Sequence, residues 1–251
     1  MKYIEWPERS ETYNNLDWVN NGSTLDAMIQ MAGNIDQLKL LDIGTGTGKV
    51  LDAFYSIYPM SEYYGLDLND SMMGKIQNKH YKLCIGNVED LNMFKSNCFD
   101  IVTARMVMHH VENLANAFIE IYRVLKPGGK LILCEGNPPN RNCIEFYEEM
   151  FKYKEKRHTF LMDDLTNLYI NAGFEEIWGR VIINKNMSLN NWLDNSGIAD
   201  ENKEIIKRMH YQCPDVIKNA YEMKIINDDM SMTWKFSVIC GRKNKLVNGY
   251  E

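Results

Sequence analysis

The chain has 251 residues, 45% hydrophobic and 25% charged, with a formal net charge of −6. This is enough chain to bury a core in one α/β domain, and an acidic total without a lysine/arginine block disfavours a nucleic-acid-binding surface. No apolar run approaches the roughly eighteen residues of a bilayer span. The stretch around Glu5, Glu8, Arg9 and Glu11 has no signal-peptide core, and six scattered cysteines without a Cys-x-x-Cys pair fit thiols in a reducing cytoplasm.

In chain order, residues 1–21 are polar and aromatic and predict an arm, followed by a helix over Ser23–Ala32. Leu40–Ile43 then reads as a buried strand opening into Gly44-Thr45-Gly46-Thr47-Gly48, with a helix starting near Lys49. Further strands are predicted at Tyr63–Leu68, Tyr81–Gly86, Phe99–Arg105 and Lys130–Glu135, alternating with helical segments, which implies right-handed crossovers and a parallel sheet. Helices are expected at Asn142–Tyr153 and Asp163–Ala172, the second stopped by Gly173, and a strand at Phe174–Asn184. Residues 186–222 are too long for a hairpin and carry helical patterns at Ser188–Leu193 and Glu201–Tyr211. Met223–Asn227 and Ser231–Cys240 read as the last strand, entered by a hairpin around Asp228-Asp229.

The glycine loop admits three nucleotide-binding readings, and spacing separates them. A dinucleotide fingerprint needs Gly-x-Gly-x-x-Gly, but Lys49 stands where the third glycine belongs. A phosphate-cradling P-loop needs four residues between its glycine and Gly-Lys, then Ser or Thr; Gly48 comes one residue early and Val50 follows the lysine. The remaining pattern is Asp42-x-Gly44-x-Gly46-x-Gly48, where glycines let backbone N–H groups approach a ligand closely. Asp67, at the tip of the second strand, suits vicinal ribose hydroxyls, since a carboxylate can accept from both.

This loop, Asp67, Asn87-Val88-Glu89-Asp90-Leu91, the Phe99–His110 stretch and Leu125-Lys126-Pro127-Gly128-Gly129 fall in the order and spacing of five motifs. They resemble the class I S-adenosylmethionine methyltransferases, especially the ubiquinone/menaquinone-methyltransferase-like branch, over roughly residues 35–136. The resemblance implies a Rossmann-like α/β fold with a seven-stranded sheet ordered 3-2-1-4-5-7-6, its last strand antiparallel, and helices on both faces. It implies one methyltransferase domain over 1–251: an arm and helix at 1–34, an S-adenosylmethionine-binding core at 35–136, and helical inserts at 137–160 and 186–222 capping the substrate. Carried over by residue, Gly44, Thr45 and Gly46 line the methionine portion of the cofactor and Asp42 interacts with the same region. Asp67 holds the ribose, Leu68 and Met72 pack on the adenine, and Asn87 and Val88 meet its polar edge. Arg105 approaches the methionine end, and Tyr13 closes over its carboxylate. The family commonly has aspartate where Asn87 stands.

Methyl transfer from a sulfonium needs alignment and exclusion of water, with a general base where the nucleophile carries a proton. His109 and His110, just past the fourth strand, are the candidate bases, since histidine titrates near neutrality; orienting a loop or capping a helix is the alternative reading. Tyr147, His158 and Trp192 are candidate substrate contacts from the inserts, with Trp234 and Met223 as further wall residues, whereas Lys156 and Arg157 read as solvated charge on a helix end. Asn137-Pro138-Pro139-Asn140 is a proline-stiffened turn rather than an amino-methylation motif, because it follows the fifth strand and lacks the closing aromatic residue. No carboxylate/histidine cluster with metal-ligand spacing stands out, so no metal is expected. The expectation is methylation of a small molecule by S-adenosylmethionine, releasing S-adenosylhomocysteine, at carbon of a biosynthetic intermediate or at oxygen or nitrogen. Methylation of a tRNA or protein, or cofactor binding without catalysis, stays open. Oligomeric state is not encoded in these patterns.

Overall fold

The computed structural model describes residues 6–34 and 37–245. The predicted arm is therefore described from Trp6 onward, and Glu5 lies outside the described residues. The arm is a helix α1 (Trp6–Thr12), a 3-10 turn at Tyr13–Asn15 and a short helix α2 (Asp17–Asn20), leading into α3 (Gly22–Ala32). Asn21 caps α3 by accepting from the Ser23 N–H at 3.0 Å.

The sheet begins with β1 (Lys39–Ile43), and α4 (Lys49–Ile57) returns the chain to β2 (Glu62–Asp67). A one-turn helix α5 (Asp70–Met73) precedes β3 (Tyr81–Ile85), and β4 (Phe99–Arg105), α6 (Leu114–Val124) and β5 (Leu125–Asn137) follow. Beyond β5 come α7 (Ile144–Phe151), α8 (Met162–Asn171), β6 (Phe174–Ser188), α9 (Leu189–Asp194), α10 (Asp200–Gln212) and α11 (Asp215–Ala220). The described chain closes with β7 (Lys224–Ile226) and β8 (Asp229–Lys243).

The strand order is β3-β2-β1-β4-β5-β8-β6, parallel from β3 to β5, with β8 antiparallel to both β5 and β6. Among the described residues the sheet has eight strands where seven were expected. The additional one is β7, which pairs with the start of β8 through a two-residue turn. Its residues Asn227 and Asp228 both take positive φ (50° and 62°), the backbone a tight hairpin of this hand requires. The Met223–Asn227 segment thus carries a separate strand, Lys224–Ile226, and is not the first part of the last one. The remaining order is the expected one, with β8 in the place of strand seven.

The central parallel strands β1, β4 and the second half of β5 are buried on both faces, which explains their continuous apolar runs, whereas the edge strand β3 is largely exposed. Leu40, Ile101, Ile132, Cys134, Val238 and Cys240 face one core, with Met28 and Met31 of α3 and Phe54 of α4. Leu41, Ile43, Val102, Leu131, Leu133 and Ile239 face the other, with Phe118 and Ile121 of α6 and Leu165 and Tyr169 of α8. The alternation follows from the two-residue repeat of a strand. β1 lies between β2 and β4, so the chain winds away from it in both directions. The carboxyl ends of β1 and β4 border the crevice where open α/β sheets bind ligands.

Candidate functional site

The loop after β1 is held by Thr45 N–H donating to Leu66 O at 3.0 Å and by Gly48 N–H donating to Thr45 O at 2.8 Å. Gly44 has φ +62°, and a Cβ there would lie 2.2 Å from Val107 Cγ2, so only glycine lets the loop pass this close to the segment that follows β4. Asp67 braces the loop: its carboxylate accepts from Gly46 N–H at 2.8 Å and Asn69 N–H at 3.0 Å. Burial raises its carboxyl above the ordinary range, opposed by those N–H groups.

The arm closes one side. Thr47 Oγ1 donates to Asn14 Oδ1 at 2.8 Å, and Lys49 Nζ to Asn20 Oδ1 at 3.2 Å. Arg105, at the end of β4, donates through Nη2 to the Trp18 carbonyl at 2.9 Å and through Nε to Thr24 Oγ1 at 3.2 Å, with its guanidinium over the Trp18 ring. Sequence placed Arg105 near the cofactor; its observed bonds fasten the arm to the sheet.

These elements border a cavity of about 660 Å³, a volume usual for small-ligand sites. Tyr13, Gly44, Gly46, Asp67, Leu68 and Met72 line it, and Asn87, Val88 and Arg105 join them. Asn87 Oδ1 already accepts from Glu89 N–H at 3.0 Å. Asp42 and Thr45 are not on the wall. Asp42 is buried in the sheet, where Thr103 Oγ1 donates to it at 2.8 Å, and burial pushes its carboxyl up to about 7.

Further along the cavity the wall turns aromatic, with Tyr147, Phe151, Trp192, Tyr221, Trp234 and Phe236. Tyr147 and Trp192 were expected there. Tyr147 donates its hydroxyl to Gly136 O at 3.2 Å and burial pushes its pKa up to about 12, so it stays a neutral donor. Met223 is not on the wall, and neither is His158. The His158 ring Nε2 lies 3.0 Å from Val111 O while its N–H donates to His109 O, which makes this histidine a pin between two loops.

His109 and His110 lie at the junction of the two halves, their ring centroids 4.1 Å apart. Glu135, fully buried on β5, accepts from Val107 N–H and Met108 N–H through Oε1 at 3.0 and 2.7 Å. Its Oε2 lies 2.6 Å from His109 Nδ1. When Glu135 is ionised it only accepts, so Nδ1 then carries the ring proton and Nε2 is left as an acceptor. Burial lowers both imidazole pKa values, His109 well below its ordinary range with Arg157 adding to the effect, and His110 to about 3 with His109 adding to it. Both rings are neutral at pH 7. Burial raises Glu135 to about 7, opposed first by the Arg157 charge and then by the two N–H groups.

Past the histidines stands a charge cluster that sequence reasoning missed. Glu155 Oε2 lies 2.7 Å from Lys154 Nζ and 3.3 Å from Arg9 Nη1, and its Oε1 lies 3.4 Å from Arg157 Nη1 and 3.9 Å from His109 Nε2. Arg157 is the clearest correction. Its side chain is only 4% exposed and lines the cavity, its guanidinium over the Phe151 and Tyr147 rings, whereas Lys156 is solvated. His109, His110 and Glu155 present ligand atoms within 4.8 Å of one another, a histidine/carboxylate group the linear spacing concealed. With Arg9, Lys154 and Arg157 around Glu155, a metal cation would meet repulsion there. Met106, also on the wall, holds φ +60° directly after Arg105, a strained backbone of the sort that collects at functional sites.

Comparison with known proteins accounts for the glycine-loop half. The family described as "Methyltransferase domain" matches residues 41–133. Residues 41–133 are a methyltransferase domain. The strand order is the one expected for the class I methyltransferase fold. The chain is 28% identical over 133 residues to the ubiquinone/menaquinone biosynthesis C-methyltransferase UbiE of Desulfotalea psychrophila, covering 50% of this chain and 53% of that protein. It is 36% identical over 117 residues to a demethylmenaquinone methyltransferase of Symbiobacterium thermophilum, covering 43% and 46%. The chain thus spans about half the length of these curated relatives. Among solved structures, the YcgJ protein of Bacillus subtilis superposes with a TM-score of 0.75 at 21% identity, over 90% of this chain and all of that one, a likeness of fold. In the methyltransferase domain and the rest of the described chain, no helix is long and apolar enough to cross a membrane. All six cysteines are free.

Proposed function

We propose that this chain transfers a methyl group from S-adenosylmethionine to a small planar acceptor seated in the aromatic half of the cavity. The observation that carries the proposal is continuity: one cavity runs from Gly44, Gly46 and Asp67 past His109 and His110 to Tyr147 and Trp192. The cofactor fits the first half by chemistry. Glycines at 44 and 46 leave room for close approach, the Asp67 carboxylate offers acceptors for vicinal hydroxyls, and Leu68 and Met72 give an apolar slot closed by Asn87 and Val88. Tyr13 and Arg105 line the arm side and would bound the methionine end. Asp42 and Thr45 act from behind, by shaping the loop.

When bound, S-adenosylmethionine supplies an electrophilic methyl group on a sulfonium. The chain aligns the acceptor, excludes water and takes a proton where one must leave. His109 suits the last task, since Glu135 fixes its tautomer with Nε2 free to accept; His110, its ring open to the cavity, is the second candidate. Residues 137–160 and 186–222 form the acceptor side, contributing Tyr147, Phe151, Lys154, Arg157 and Trp192 to the wall. A pocket of this size favours a small molecule over a tRNA or protein side chain. The names of the relatives favour an activated ring or enol-like carbon as the methylated atom.

Calorimetric titration with S-adenosylmethionine and S-adenosylhomocysteine tests the donor half, with micromolar binding of both expected. Screening planar acceptors for S-adenosylhomocysteine release then tests transfer. If neither cofactor form binds, the proposal falls; binding without turnover on any acceptor would favour a non-catalytic role.

A further inference from the structure

His210 lies on α10, inside the 186–222 insert, and its ring lines the cavity although the residue is only 2% exposed. It stands edge-to-face against the Phe146 ring at 5.3 Å and the Trp192 ring at 6.4 Å, which places it in the aromatic half. Its Nδ1 lies 2.8 Å from the carbonyl oxygen of Ile206, one turn back on the same helix. A carbonyl only accepts, so Nδ1 carries a proton and the neutral ring keeps a lone pair at Nε2. Burial lowers the imidazole pKa to about 4, so the ring is neutral at pH 7.

This histidine has no structural task that an apolar ring would not perform. His109 is held by Glu135 and His158 pins two loops, whereas the His210 side chain bonds only to its own helix and fastens no element to another. Burying an imidazole among rings costs free energy that phenylalanine would not incur. What the ring adds over phenylalanine is the Nε2 lone pair. Among the described residues none donates to Nε2, and the Tyr221 hydroxyl on the same wall is itself without a partner. Nor is Nε2 sealed in: it is not one of the polar atoms enclosed without a partner, so its lone pair opens on the cavity.

From this geometry we infer that His210 is a specificity-determining residue: Nε2 accepts a hydrogen bond from an O–H or N–H of the methyl acceptor and holds molecules without such a donor only weakly. An ether, carbonyl or carboxylate oxygen at that place would set lone pair against lone pair. The inference rests on the methyltransferase reading for the word acceptor; the hydrogen bond itself does not. His210 recognises and takes no proton, which leaves proton removal to the groups around His109.

The test is calorimetric titration of the whole chain, with and without saturating S-adenosylhomocysteine, using matched planar probes: 1-naphthol against 1-methoxynaphthalene, and indole against 1-methylindole. In at least one pair the donor-bearing member should bind about tenfold more tightly. His210→Asn keeps an amide N–H near the Nδ1 position but nothing at Nε2, and should reduce that preference to within about twofold. His210→Gln, whose amide oxygen reaches the Nε2 position, should restore part of it. Nitrogen-15 spectra of the imidazole give a second readout in the unaltered chain, the His210 signals being identified by their loss in His210→Asn. The Nε2 signal should shift on adding a donor probe and stay in place with its methylated partner.

Equal affinity within both pairs, failure of every probe to bind, or a preference surviving in His210→Asn overturns the inference. An Nε2 signal already hydrogen-bonded without probe, and released in Tyr221→Phe, would make Tyr221 the partner and overturn it as well. A parallel loss of S-adenosylhomocysteine affinity of about tenfold in His210→Asn would assign Nε2 to the cofactor instead. Absence of S-adenosylhomocysteine binding by the unaltered chain sinks the methyltransferase reading alone, because the probe titrations without it still report on His210.

Discussion

Asp67 is the residue whose removal tests the donor half most directly, because its effect can be read without knowing the acceptor. In the structure its carboxylate accepts from the Gly46 and Asn69 backbone N–H groups and lines the cavity, and a carboxylate has about four acceptor sites in all. If a ribose diol donates to the remaining sites, Asp67→Ala removes two hydrogen bonds to a charged acceptor. At the low end of about 1.5 kcal/mol each, that is ~3 kcal/mol, or roughly a hundredfold in Kd. Rearrangement of water into the vacated space offsets part of this, so the expected loss is at least tenfold, measured by calorimetric titration with S-adenosylhomocysteine. Asp67→Asn separates the two roles of the side chain. It keeps one oxygen to hold the glycine loop and replaces the other by a donor, so its loss should be smaller than that of alanine. Unchanged affinity in Asp67→Ala, with the thermal transition intact, would refute the ribose assignment and leave Asp67 a loop brace.

Glu135→Gln should leave S-adenosylhomocysteine affinity within twofold and slow turnover by about a hundredfold or more. The amide nitrogen facing His109 Nδ1 would force the proton onto Nε2, and unaltered release of S-adenosylhomocysteine with an active acceptor would retire His109 as the base. Gly44→Ala places a Cβ 2.2 Å from Val107 Cγ2 at φ +62°. Left-handed strain of ~1–2 kcal/mol and overpacking of ~1–3 kcal/mol together predict a melting temperature lower by about 5–10 °C. A variant melting within a degree of the parent would show that Val107 moves freely. Asp42 has a folded-state pKa of about 7, above its unfolded value, so the folded chain holds the extra proton between those limits. The penalty of ionising it is absent below the unfolded pKa, grows as pH rises and is fully present above about pH 7. Asp42→Asn, which keeps an oxygen for the Thr103 hydroxyl, should therefore raise the melting temperature more at pH 8 than at pH 4. An equal shift at both would rule out a titrating Asp42.

The donor half was legible because it is built from consecutive residues under backbone constraint. A strand, a glycine turn and an acid at the next strand tip leave a linear signature, and Asp67, Gly44 and Gly46 lie where that signature places them. The central strands β1, β4 and β5 were legible for a related reason: burial on both faces makes each an apolar run. β7 was not, since three exposed residues carry no such run and only the turn conformation of Asn227-Asp228 separates it from β8.

The acceptor half obeys a different logic. Arg9, His109, Glu135 and Glu155 come from four separate segments of the chain, and no spacing rule joins them. Lys156 and Arg157 read as solvated charge because charges at a helix end normally are. What reverses that reading is tertiary: Tyr147 and Phe151, at turn-like spacing on α7, form the surface against which the Arg157 guanidinium lies. One signal was available. Glu135 ends an apolar run of strand residues, where a carboxylate is expensive to bury unless several donors meet it. An acid at that position therefore implied donors nearby, and His109 is one of them.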